Sequence, residues 1–122
     1  MNPAYSIIFF TTAAGAGYGL LTMVALYALA GDATAGESPA LLALGLAGVL
    51  VTGGLLSSTL HLGHPARAWR ALTQWQSSWL SREGVLAVAC YAPALLWAWR
   101  LWRGVEAGSV LPLCCALLAL AT

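Results

Sequence analysis

AYSIIFFTTAAGAGYGLLTMVALYALA, residues 4–30, contains no Asp, Glu, Lys, Arg or His. At about 1.5 Å per residue a helix of this length exceeds a hydrocarbon core of about 30 Å, so the stretch predicts a first membrane span. Read outward from it, the chain repeats the pattern. After the break GDATAGES at 31–38, Pro39 stands at a helix-starting position and a second uncharged run continues to Leu60 or Leu62. A third begins near Glu83 and Gly84 and runs to Trp99 or Leu101, with Pro93 as an expected kink. The last apolar stretch, 109–122, offers about 14 residues where about 20 are needed. It is read as a truncated span or as a half-helix lying against its neighbours, with truncation expected. The fold class is thus all-α: a polytopic transmembrane bundle with three full spans (about 4–30, 40–62 and 84–101), a partial fourth, and an interfacial segment at 65–79.

Composition agrees. The chain is 61% hydrophobic and 7% charged, against about 45–50% and about 25% in soluble domains, which excludes a soluble globular fold. Five arginines face four acids, Asp32, Glu37, Glu83 and Glu106, with no lysine. A net charge of +1 provides no footprint for nucleic acid. Ala28-Leu29-Ala30 resembles a signal-peptidase site, but no basic residue precedes the apolar run and the run is too long for a signal core, so the first span is expected to be retained. Three arginines between spans two and three oppose two after span three, which barely orients the bundle. Trp79 at one end of the third span and Trp97, Trp99 and Trp102 at the other fit rings placed at both headgroup levels. Gly15 and Gly19 form a GxxxG strip expected to pack another helix or to border a flat cofactor. Gly45, Gly48, Gly53 and Gly54 read the same way. Cys90, Cys114 and Cys115 lie in apolar runs without zinc or redox spacing and are too few for an iron–sulfur cluster, so they read as small buried hydrophobes.

The chemistry concentrates between spans two and three. From Pro65 a short helix would place Trp69, Leu72, Trp75 and Trp79 along one side and Arg67, Arg70 and Gln74 on another, lying in the headgroup plane. His61 would sit beneath it on the last turn of span two, and Glu83 on the first turn of span three, where the helix N-terminus favours a carboxylate. Imidazole and carboxylate at a membrane surface suit a lipid-soluble molecule that exchanges protons with electrons, of which quinol is the natural example. Plainer roles stand beside these. His61 can cap the helix C-terminus, and Glu83 can pair with Arg67, Arg70 or Arg82. His64 reads as solvated or headgroup-facing. Two histidines on one short segment do not suit a bis-histidine haem, and no metal site is expected.

Leu60-His61-Leu62-Gly63-His64-Pro65-Ala66-Arg67-Ala68, followed by Ser77-Ser78-Trp79-Leu80-Ser81-Arg82-Glu83, resembles the membrane anchor subunit of the dimethyl sulfoxide reductase family. The opening Pro3-Ala4-Tyr5-Ser6-Ile7-Ile8-Phe9-Phe10-Thr11-Thr12 is similar to the start of those subunits. The resemblance implies a haem-free bundle of about eight helices in the bacterial inner membrane, of which this chain would supply fewer than half. It further implies menaquinol as bound substrate, with an iron–sulfur subunit and a molybdopterin catalytic subunit as partners. The quinol-binding histidine would fall on His61 and the glutamate heading the third helix on Glu83. Gly63, Pro65 and Arg67 would support the site, and the chain itself would hold no haem, metal or iron–sulfur cluster. Two alternatives stay open: a truncated, non-catalytic scaffold, and a polysulfide-reductase-type quinone-binding anchor.

Overall fold

A computed structural model describes residues 3–31, 37–60, 66, 69–105 and 108–122. Every regular element among the described residues is helical: α1 Pro3–Leu29, α2 Glu37–Leu60, α3 Trp69–Thr73, α4 Trp79–Ala89, α5 Tyr91–Trp102 and α6 Val110–Ala121. Tyr5–Leu29, Ser38–Thr59 and Ser81–Trp102 are each long and apolar enough to cross a membrane, and α6 is a shorter apolar helix. The expected all-helical architecture is therefore what the chain adopts. Ile8, Met23, Val49, Leu95 and Leu120 are each more than 60% exposed. Apolar side chains turned outward along whole helices are the surface that lipid, not water, accommodates.

The helices form a ring in which α1 packs against α2 and α6, and α5 packs against the same two. α1 and α2 run antiparallel and come closest where side chains are missing. A Cβ on Gly54 would lie 2.8 Å from the Ala14 backbone nitrogen, and one on Gly17 would lie 2.6 Å from Val51 Cγ2 and 3.0 Å from the Ala47 carbonyl oxygen. The Ser57 hydroxyl adds a buried bond across this seam, donating to the Ser6 carbonyl at 3.0 Å. Gly15 and Gly19, expected to be the packing strip, have nothing within 4 Å of a Cβ position. On a helix apolar all round, the partner and not the motif decides which small residues meet a neighbour.

The third span breaks at Cys90, between α4 and α5. Pro93 has no N–H to offer the Ala89 carbonyl one turn back, and its ring crowds that carbonyl, while Cys90 keeps helical backbone and accepts the Ala94 N–H at 3.3 Å. Tyr18 of α1 reaches the break, its hydroxyl donating to the Ala87 carbonyl at 3.0 Å. Beyond the break, Trp97 is 2% exposed and packs in a core with Cys90, Cys115, Leu21 and Ala119. This corrects its placement in the interfacial belt. At about 100° per residue Trp97 points away from Trp99 and Trp102, which share the outer face and are exposed. Cys90 and Cys115 are buried and all three cysteines are free, as small hydrophobes would be.

Between α2 and α4 the helix α3 covers only Trp69–Thr73, and a turn follows at 74–77. Arg82 fastens this turn to α4, its Nε donating to the Trp75 carbonyl at 2.8 Å and its Nη2 to the Gln76 carbonyl at 3.1 Å. Leu72 lies over Gly84, where a Cβ would meet Leu72 Cδ2 at 3.3 Å.

Candidate functional site

The sequence points to the end of the bundle where α2 stops and α4 starts. α2 ends at Leu60, one residue before His61 in the sequence; His61, Gly63, His64, Pro65 and Arg67 lie outside the described residues. α4 begins earlier than charge alone suggests. Ser78 has extended backbone and its side chain accepts the Ser81 N–H at 3.4 Å, an N-cap that starts the helix at Trp79. Glu83 is consequently the fifth helical residue and half-buried, and the first turn of α4 holds no acid. The expected support of its carboxylate by the helix N-terminus is corrected, because that field fades beyond the first turn.

The arginines weighed as partners for Glu83 divide clearly. Arg82 is committed to the two carbonyls of the turn, and its guanidinium stands 5.9 Å from the Trp79 ring centroid. Arg70 stands 5.6 Å from the ring of Trp69. Among the described residues Glu83 forms no ion pair, and the structure leaves its carboxylate at the loop end of the bundle without a cation from α3 or α4.

A second feature gives no sign of itself in the sequence. Below that end, between α2 and α5 with α1 as floor, runs an apolar groove of about 620 Å³. Gly45 and Gly48 of α2 form one smooth wall, with open space where each Cβ would be. Leu95 and Ala98 of α5 line the other. The wall carries a hydroxyl pair, Thr52 Oγ1 and Tyr91 Oη, 2.8 Å apart, and Thr52 also donates to the Gly48 carbonyl at 2.6 Å. Thr52 and Tyr91 carry no signal in sequence, since single hydroxyls inside apolar spans usually bond their own helix.

These observations define a class: a multi-pass helical membrane protein with a polar loop at one end of the bundle and an apolar groove beneath it. The family follows from comparison with known proteins. Residues 1–106 match the family model of the DMSO reductase anchor subunit (DmsC), and the chain belongs to that family. A curated relative, one of the subunits of the sulfite dehydrogenase of Allochromatium vinosum, is 48% identical over 91 residues, which is 70% of this chain and 28% of the relative. The chain thus spans about 28% of that relative's length. No solved structure matches it.

Proposed function

We propose that the chain is part of the quinone-reactive anchor of a molybdoenzyme complex in the bacterial cytoplasmic membrane, oxidising menaquinol at the loop end of the bundle. Oxidation releases two protons and two electrons. The His61 imidazole takes a proton from a quinol hydroxyl, and Glu83 passes protons to the aqueous side. Gly63, Pro65 and Arg67 support quinol binding. The electrons leave to an iron–sulfur partner subunit and from there to a molybdopterin catalytic subunit. The observation that carries this reading is the half-buried Glu83, the fifth residue of α4, with the neighbouring Arg82 and Arg70 engaged elsewhere.

The name of the curated relative supports a second direction of flow. A dehydrogenase by name oxidises its substrate, so in such a complex the same two residues would deliver protons to a quinone instead of removing them from a quinol. Either direction is tested in membranes carrying the assembled complex. His61→Ala and Glu83→Gln are expected to lower quinone-linked turnover by at least about 100-fold, within the range of a lost general acid–base group. Turnover with an artificial soluble redox partner is expected to stay at the wild-type rate. Undiminished quinone-linked turnover in both variants would mean a non-catalytic scaffold.

A further inference from the structure

We infer that the groove between α2 and α5 holds the polyprenyl side chain of the quinol, an inference that rests on the quinone reading above. Its size comes first: about 620 Å³ lies inside the range of roughly 300–1,000 Å³ typical of ligand pockets. The second argument is a count of hydroxyl protons. Thr52 gives its proton to the Gly48 carbonyl, so the short contact between Thr52 and Tyr91 takes the proton of Tyr91. Tyr18 gives its own to the Ala87 carbonyl. Every hydroxyl proton in the lining is therefore used within the protein, and none faces the groove. A polar head would find no donor there, whereas a hydrocarbon chain needs none.

Position supplies the third argument. The groove's near end, at Gly53 and Cys90, lies about 10 Å along α2 from Leu60 and about 10 Å along the third span from Glu83, at ~1.5 Å per residue. The far end reaches Leu41. A ring held at the loop would thus send its tail down between the same two helices that carry the ring site. The bare faces of Gly45 and Gly48 leave room for the methyl branches of such a tail.

The test compares menadiol, which has no tail, with menaquinol-4, binding to the full chain in phospholipid nanodiscs by tryptophan quenching. Because a tail leaves lipid to enter the groove, its advantage comes from shape and not from water exclusion, and menaquinol-4 is expected to bind wild type about tenfold more tightly. Gly48→Leu or Gly45→Leu, each with open space at the substituted position, should cut that advantage to about twofold and leave menadiol affinity unchanged. Gly15→Leu, equally open but outside the groove, should leave the tenfold ratio intact. A ratio untouched by both groove variants overturns the tail site and means that another helix or bulk lipid fills the groove. Menadiol binding that persists in that case keeps the quinone reading, whereas binding of neither compound overturns both. A menaquinol with a terminal diazirine should label residues 45–53 and 91–98, and a diazirine phospholipid should not. Equal labelling by the two overturns the assignment to a quinol tail.

Discussion

Two contacts made by the same helix differ in kind. Against α1, the helix α2 closes on backbone: Gly54 meets Ala14 and Gly17 meets Val51 with no space for one further carbon. Against α5, the same helix turns Gly45 and Gly48 toward an open groove. One residue type thus serves opposite ends, close approach on one face and vacancy on the other. In a membrane, where lipid tails are as apolar as leucine, the first is helix association already made. The second is the open face to which the quinol tail is assigned above.

The sharpest way to break this comparison is to place one side chain on both faces. Gly54→Leu should cost about 3 kcal/mol, the upper part of the usual overpacking range, because the obstructing atoms are backbone. The loss would be read from unfolding in mixed micelles. Next in size is Tyr18→Phe, which removes the hydroxyl that reaches the broken third span. Leaving the Ala87 carbonyl without that donor should cost about 1–2 kcal/mol, measured in the same way, and should speed proteolysis or exchange around Cys90. Gly48→Leu should instead be neutral or stabilising by up to about 0.8 kcal/mol, the helix-propensity gain, since nothing stands in its way. If it destabilised as much as Gly54→Leu, the groove would be closed in the folded protein. Ser57→Ala, which removes the buried bond to Ser6, should cost about 0.6 kcal/mol, the smallest of the expected losses.

The three spans are legible because an uncharged run of sufficient length has few alternatives in a chain so poor in charge. What escapes is helical phase. α1 and α2 are apolar on every side, so no stripe marks which glycines face a partner, and the GxxxG at Gly15 and Gly19 turns outward while Gly17 packs. Trp97 illustrates a phase that is available. Its angular separation from Trp99 and Trp102 follows from the helix period, and packing with Cys90 and Cys115 decides that its face is the core. Charge misplaces the start of the third span, because Ser78 satisfies the helix N-terminus five residues ahead of Glu83. For the candidate site, the residue types are readable but the groove is not. It depends on the bare glycine face of α2 standing opposite Leu95 and Ala98 of α5, a pairing that no single segment encodes.

The break at Cys90 also bears on biogenesis. The third span is the least apolar of the three, and Pro93 strips one carbonyl of its ordinary partner. A hairpin of α1 and α2 satisfies its own backbone as it enters the bilayer, whereas the third span carries the Ala89 carbonyl that Pro93 leaves without its helical donor, and Tyr18 steadies the turn before it by donating to the Ala87 carbonyl. The order of synthesis suits this arrangement: the helix that carries the tyrosine is made first, and the imperfect span arrives to find a hydroxyl already in the membrane to hold the turn before its proline.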